Sequence, residues 1–229
     1  EPMASFAPAI KIGNQMVEQL MIHKSQDKKE AKNISIDMLN RVGIADAEKR
    51  FNQYAFELSG GMRQRAMIAM ALSTMPKLLL ADEPTTALDV TIQAQVINLM
   101  KDIIKEFNMG VIFITHDLGV IAQVADDVAV MYLGSVVEQG PVNEILKNPM
   151  HPYTRGLINA LPDINNLDAP LTPIPGNIPS PLDRPSGCVF RTRCPHASQE
   201  GKEADIKMGL VEVKPGHWLD NCGINCGKV

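Results

Sequence analysis

The sequence predicts an α/β fold whose sheet is largely parallel, followed by a tail of different character. Two short segments are predicted as strands, 77–81, which is apolar throughout after Lys77, and 111–114. Apolar runs without alternation are typical of parallel strands that are covered on both faces. An amphipathic helix pattern lies between them, and strand, helix, strand in this order implies a right-handed parallel crossover. Beyond about residue 150 the periodicity fades into a proline-rich, cysteine-containing tail.

Hydrophobic periodicity and end signals predict the individual elements. A helix is expected over residues 26–42, and it ends at Gly43. A second helix is expected to begin after Ser59, its N-cap, and to end before Pro76. The helix between the two apolar strands has six residues on its core face: Val96, Ile97, Met100, Ile103, Ile104 and Phe107. The remaining expected elements are strands at 127–133 and 135–139 and short helices at 143–147 and 153–161.

Composition excludes several classes of protein. The 229 residues carry 22 Lys+Arg against 26 Asp+Glu, a net charge of −4, which is wrong for a polycation that binds bare nucleic acid. Apolar runs such as 128–133 are far shorter than the roughly 18 to 20 residues that cross a bilayer. The first residues lack the basic start and apolar stretch of a signal peptide. We therefore expect a cytosolic chain that does not span a membrane.

Three segments in a fixed order carry the chemistry: 58–65 (LSGGMRQR), 78–84 (LLLADEP) and 112–117 (IFITHD). The first places a hydroxyl and two glycines at a helix start, where free N–H groups attract phosphate, although an ordinary helix cap has the same pattern. The second places Asp82 and Glu83 at the carboxyl end of a buried strand, where open sheets bind ligands, although an acidic turn would also fit. His116 ends the next strand, and alone it would be interpreted as a core or capping histidine.

Together the three segments resemble the nucleotide-binding subunit of an ABC transporter. Leu58 to Met62 is similar to the signature loop, with Met where Gln is commonest, and 78–83 is similar to the Walker B strand. Residues 87–89 resemble the D-loop, and His116 resembles the switch histidine. The resemblance implies a P-loop NTPase-like ABC ATPase domain over residues 1–140.

The resemblance also implies a role for each motif residue, with ATP as substrate and Mg²⁺ as cofactor. Asp82 would bind Mg²⁺, Glu83 would be the base for the attacking water, and His116 would contact the γ-phosphate. Four signature residues would bind the γ-phosphate of a nucleotide held by a partner subunit: Ser59, Gly60, Gly61 and Met62. Asp89 of the D-loop would report across the dimer interface. A helical subdomain is expected over about residues 11–76.

The sequence contains no phosphate loop of the form G-x-x-x-x-G-K-[ST]. The resemblance therefore covers about the carboxyl-terminal two-thirds of such a subunit, and we expect this chain alone not to hydrolyse ATP. A derived half that never hydrolyses ATP and carries a metal-binding tail is the alternative.

The tail points to one branch of the family. The stretch 151–157 (HPYTRGL) resembles the extension of oligopeptide, dipeptide and nickel importers, which implies an extension over residues 141–229. Peptide import is the preferred function and nickel import the alternative. The implied partners are a second ATPase subunit, membrane permeases and, indirectly, an extracytoplasmic binding protein, with no nucleic acid. The implied location is peripheral, on the cytoplasmic side of the cell membrane. A soluble ABC ATPase that acts on DNA or the ribosome is a weaker alternative, because coiled coils and basic arms are not visible.

All four cysteines lie in this tail, at Cys188, Cys194, Cys222 and Cys226. Their clustering indicates one shared centre, since disulfides are disfavoured in a cytosolic protein. Zn²⁺ usually has tighter pairs than Cys188-x5-Cys194, and incidental thiols are a third interpretation. The resemblance implies a [4Fe-4S] cluster, because several importers of this branch bind one in the tail.

One ligand of that cluster is in question. The family's third cysteine would fall near Gly201, and this chain offers Cys226 instead. His196 and His217 are candidate substitutes, although His217 before Trp218 is equally typical of a structural residue.

Overall fold

The computed structural model describes residues 5–86, 88–162, 171–197 and 209–220. The chain divides into two compact units, Glu1–Val120 and Ile121–Val229. These units are defined by packing alone, and the division at residue 140 stays a prediction.

The first unit is mainly helical. Its elements are α1 (Ile12–Lys24), α2 (Lys28–Arg41), α3 (Ala47–Phe51), a 3₁₀ turn (Ala55–Glu57), α4 (Gly60–Ser73), β1 (Leu78–Asp82), α5 (Val90–Phe107) and β2 (Gly110–Ile114). The expected helix over 26–42 is confirmed as α2, which begins after Asp27 because that carboxylate accepts hydrogen bonds from the amides of Lys29 and Glu30 at 2.8 and 2.9 Å. α1 and α3 were not predicted individually, although both lie in the expected helical subdomain.

The core of the first unit forms where α1, α2 and α4 pack together. Met16, Leu20 and Leu39 are fully buried in it. Gly13 on α1 lies against the ring of Phe51, and a Cβ at this position would be only 2.3 Å from the ring. Glycine is therefore required for the close approach of these two segments.

β1 and β2 pair in parallel, with Leu78 opposite Gly110 and Asp82 opposite Ile114. This confirms the predicted crossover through α5. The expectation that both faces are covered is wrong for the described residues, because helices pack on one face only. On the open face four side chains are half or more exposed: Leu78, Leu80, Ile112 and Ile114. Apolar continuity indicated a buried strand, but it could not indicate what covers each face.

The second unit is built on an antiparallel sheet of four strands in the order β3-β4-β6-β5. Its elements follow α6 (Leu118–Val124), which runs across the boundary, and are β3 (Asp127–Tyr132), β4 (Ser135–Pro141), α7 (Val142–Lys147), α8 (Pro152–Asn159), β5 (Leu210–Lys214) and β6 (His217–Asp220). Strands β3 and β4 and both short helices confirm the predictions within two residues.

The β5–β6 hairpin was missed by sequence reasoning. It adds to β4 through the pairs Glu138 with Leu219 and Gln139 with Trp218. The signal was present as the Pro215-Gly216 turn, in which Gly216 has a φ of 73°. The hairpin places residues 210–220 of the expected proline-rich, cysteine-containing tail in the sheet.

A buried carboxylate joins the strands of the second unit to α8. Glu138 on β4 is fully buried and accepts three hydrogen bonds, from the amides of Met150 and His151 at 2.7 and 3.0 Å and from His217 Nε2 at 2.7 Å. Burial lowers the pKa of His151 to about 4, so its imidazole is neutral at pH 7 and its Nδ1 accepts the amide of Tyr153 at the start of α8. Of the two interpretations of His217, the structure supports the structural one.

None of the helices in the described parts of the chain is both long and apolar enough to span a membrane.

Candidate nucleotide site

Two of the three motif segments meet at the carboxyl edge of the parallel strands. Glu83 directly follows β1, and its amide donates to the carbonyl of Ile114 at the end of β2 at 2.9 Å. His116 follows β2 by two residues. The sheet register therefore places the acidic pair beside the histidine, as the ligand-binding edge of an open α/β sheet requires.

Glu83 and His116 contact each other directly. Glu83 Oε1 lies 2.9 Å from His116 Nδ1, and both side chains are open to solvent, with 43% and 78% of their surface exposed. Glu83 Oε2 accepts a hydrogen bond from the Thr86 hydroxyl at 2.8 Å. The hydrogen bond from His116 lowers the pKa of Glu83, and the one from Thr86 lowers it further. The carboxylate is thus ionised at neutral pH and oriented by two partners.

The turn that carries Glu83 is also fixed from inside the unit. The buried amide of Gln64 on α4 donates to the carbonyl of Pro84. The helix that follows the signature loop is therefore bonded to the turn that follows Walker B. Sequence reasoning missed both Gln64 and Thr86, because neither residue type indicates a partner 20 residues away or across a turn.

The signature segment forms the start of α4. Ser59 is the N-cap, and its hydroxyl accepts the amide of Met62 at 3.3 Å. A Cβ on Gly60 would meet nothing within 4 Å, whereas a Cβ on Gly61 would lie 2.8 Å from Ile92. Gly60 therefore leaves the helix start open to an approaching group, and Gly61 permits close packing against α5. Ser59 acts as a cap, as the simpler interpretation held, and capping leaves other amides of the first turn available to an anion.

Asp89 forms the matching N-cap of α5. Its carboxylate accepts the amide of Ile92 at 3.0 Å, and Ile92 is the residue that packs on Gly61. Gln93, one helical turn after Asp89, donates a hydrogen bond to the carboxylate of Asp117 at 3.1 Å, and Asp117 is next to His116 in the chain. The first turn of α5 therefore connects three of the predicted motif segments: Gly61 of the signature segment, Asp89 of the predicted D-loop, and Asp117 next to His116.

Asp82 lies at the end of β1 and is exposed. A solvent-accessible carboxylate beside a second carboxylate is a hard oxygen donor set that fits Mg²⁺. Ala87 of the predicted D-loop lies outside the described residues.

The cysteines are only partly described. Cys188 is buried and Cys194 is half-buried, they are not joined in a disulfide, and both pack in the apolar cluster that contains Phe190. His196 is exposed two residues further on. Cys222, Cys226 and Gly201 lie outside the described residues. Among the residues that are described, no group of three or more His, Cys, Asp or Glu side chains could hold a metal ion.

Comparison with known proteins gives two family matches. The profile described as "ABC transporter" matches residues 3–86, and the one described as "Oligopeptide/dipeptide transporter, C-terminal region" matches residues 137–200. The oligopeptide transport ATP-binding protein OppD of Haemophilus influenzae is 50% identical over 228 residues, which cover 100% of this chain and 69% of that protein. The chain belongs to the ABC transporter ATP-binding family.

Other relatives of this ABC family member have similar names. The oligopeptide transport ATP-binding protein AppD of Bacillus subtilis is 52% identical over 86% of this chain, and OppD of Salmonella typhimurium is 50% identical over 87%. This chain spans 60% and 59% of the lengths of these two proteins.

Solved structures agree on the fold of the ABC ATPase domain. CbiO1 of Clostridium perfringens, part of the ABC transporter complex CbiONQ, superposes with a TM-score of 0.56 at 27% identity, covering 65% of this chain and 57% of CbiO1. An ABC transporter in an inward-facing conformation gives the same TM-score at 24% identity, over 66% of this chain and 58% of that one. The predicted P-loop NTPase-like α/β class is confirmed.

Proposed function

We propose that this chain is part of the ATP-hydrolysing subunit of an ABC importer for dipeptides or oligopeptides. The observation that carries the proposal is the Glu83–His116 pair, 2.9 Å apart at the carboxyl edge of two parallel strands. Relatives named oligopeptide transport ATP-binding proteins, about 50% identical, support the substrate class.

In this function Glu83 accepts a proton from the water that attacks the γ-phosphate of ATP. The low pKa of Glu83 keeps its carboxylate ionised and ready to accept that proton. His116 contacts the γ-phosphate and holds Glu83 in place. Asp82 would hold Mg²⁺, which neutralises charge on the phosphates.

The signature residues act on a nucleotide held by a second ATPase subunit. The open start of α4 at Ser59, Gly60, Gly61 and Met62 binds the γ-phosphate across a head-to-tail dimer, and Asp89 transmits its state across the same interface. Closure of the dimer drives membrane permease subunits, which receive substrate from an extracytoplasmic binding protein. The ATPase subunit is peripheral, on the cytoplasmic side. Residues 1–140 belong to the ATPase part and 141–229 to the extension.

Substrate uptake tests this function. The protein that carries this chain is assembled with its permeases in proteoliposomes, and uptake of a labelled oligopeptide mixture and of Ni²⁺ is measured with and without ATP. We expect ATP-dependent peptide uptake, with Ni²⁺ uptake at the background level. ATP-dependent Ni²⁺ uptake without peptide uptake would contradict peptide import and assign the chain to a nickel importer.

We also propose that the four cysteines bind a [4Fe-4S] cluster that stabilises the tail. Cys188 and Cys194 support this, because two thiols in one apolar cluster are suitable cluster ligands, and Cys222 and Cys226 would complete the set.

Anaerobic purification tests the cluster. We expect a brown protein with about four iron and four sulfide per chain. Cys188→Ser should lose iron, whereas Ser186→Ala, two residues earlier in the chain, should keep it. A colourless protein that contains zinc would overturn the cluster and indicate a Zn²⁺ site. A protein without metal would show that the thiols are incidental.

A further inference from the structure

The backbone at Glu83 has an unusual conformation. Its φ is +43°, in the left-handed region that residues other than glycine rarely adopt. The amide of Glu83 is held by Ile114, and the next carbonyl, that of Pro84, is held by Gln64. The backbone on both sides of Glu83 is therefore held by hydrogen bonds.

Thr86 donates two hydrogen bonds to Glu83, one from its backbone and one from its side chain. Its amide donates to the Glu83 carbonyl at 3.2 Å, and its hydroxyl donates to Glu83 Oε2 at 2.8 Å. The first bond closes the turn from Glu83 to Thr86, and the second supplies a donor to Oε2. His116 occupies the other oxygen, Oε1.

This arrangement leaves the carboxylate competent as a base. Each carboxylate oxygen has two lone pairs, so one hydrogen bond to each oxygen leaves a second lone pair free to accept a proton from water. Without the hydroxyl of Thr86, Oε2 would be held by nothing described, and the carboxylate could rotate about its terminal bond, which has a broad torsional preference.

We propose that Thr86 is a positioning residue for hydrolysis: its hydroxyl holds Glu83 Oε2 so that the carboxylate faces the attacking water. This rests on the proposed function, in which Glu83 is the base. In this role Thr86 acts through Glu83, which accepts hydrogen bonds from both its amide and its hydroxyl. Its removal should therefore lower kcat and leave the KM for ATP unchanged.

The test compares Thr86→Val, which keeps the shape but lacks the donor, with Thr86→Ser, which keeps the hydroxyl. ATP turnover is measured in the assembled transporter. We expect kcat to fall about three- to tenfold in Thr86→Val, the loss of one hydrogen bond, and to recover in Thr86→Ser. Thr172→Val, at an exposed threonine of the second unit, is the matched control and should leave kcat unchanged.

The kcat and the KM for ATP, measured separately, distinguish positioning from general damage. Because the Thr86 hydroxyl bonds to the Glu83 carboxylate, Thr86→Val should lower kcat without changing the KM for ATP, and Thr86→Ser should restore kcat.

Failure of this proposal is distinguishable from failure of the proposed function. If Glu83→Gln abolishes turnover while Thr86→Val keeps kcat within twofold, Thr86 has no positioning role and the base assignment stands. Equal losses in Thr86→Val and Thr86→Ser would also overturn the role of the hydroxyl. If Glu83→Gln retains turnover, the base assignment itself fails. In single-turnover measurements Thr86→Val should add no further loss to Glu83→Gln, since it acts through the carboxylate.

Discussion

Glu83→Gln should reduce ATP turnover by roughly two to four orders of magnitude while ATP binding persists. The amide keeps the shape of the side chain and an oxygen for the Thr86 hydroxyl, but it cannot accept a proton from water. Because the hydrolytic step is blocked after binding, ATP should trap the closed dimer. Steady-state hydrolysis and size-exclusion chromatography with ATP in the assembled protein measure both effects.

A matched carboxylate-to-amide change separates this effect from a general loss of charge. Glu18 on α1 is exposed, and Glu18→Gln should leave turnover within twofold of the unmodified protein. If Glu83→Gln keeps more than about a tenth of the turnover of the unmodified protein, Glu83 is not the base, and another group accepts the proton.

Glu138→Ala should destabilise the second unit by about 3 to 5 kcal/mol, because it leaves three hydrogen-bond donors without an acceptor, two of them on buried residues. Those donors are the amides of Met150 and His151 and the Nε2 of His217. The lost hydrogen bonds are those that join β4 to β6 and to the start of α8. A loss of this size is a large part of the stability of a unit of about this length.

The chain provides its own probe for this measurement. Trp218, the single tryptophan of the sequence, lies on β6 beside His217, so its fluorescence during urea unfolding follows the second unit. The midpoint should fall by at least about 1 M in Glu138→Ala. Glu138→Gln, which keeps one acceptor oxygen, should fall between Glu138→Ala and the unmodified protein. Asp127→Ala, at an exposed carboxylate of the same sheet, should change stability by no more than about 0.5 kcal/mol.

Local patterns were sufficient for most of the first unit. The helix start at Ser59, the parallel crossover from β1 to β2 and the acidic pair at the carboxyl end of β1 follow from capping chemistry and apolar continuity. These signals act within a few residues or one element, so they can be seen in the sequence. The same patterns could not show that one face of the two strands is open, because covering depends on distant segments.

The second unit shows the opposite case. Glu138 was passed over because it is one acid in a short strand, and its partner His217 is 79 residues away. The available signal was a glutamate directly after two valines in a predicted strand, since burying a carboxylate requires donors around it. Without the β5–β6 hairpin in view, the sequence could not indicate which donors those are.

The sequence by itself determined the family resemblance, the order of the motifs and the residue types able to bind phosphate, bind Mg²⁺ and accept a proton. Only the tertiary structure decided which of them meet. Strand register brings Glu83 to His116 across 33 residues, and a turn brings Thr86 to the same carboxylate. The physical reason is that hydrogen bonds of the side chains depend on distances of about 3 Å, which the packing of separate elements sets and local periodicity does not encode.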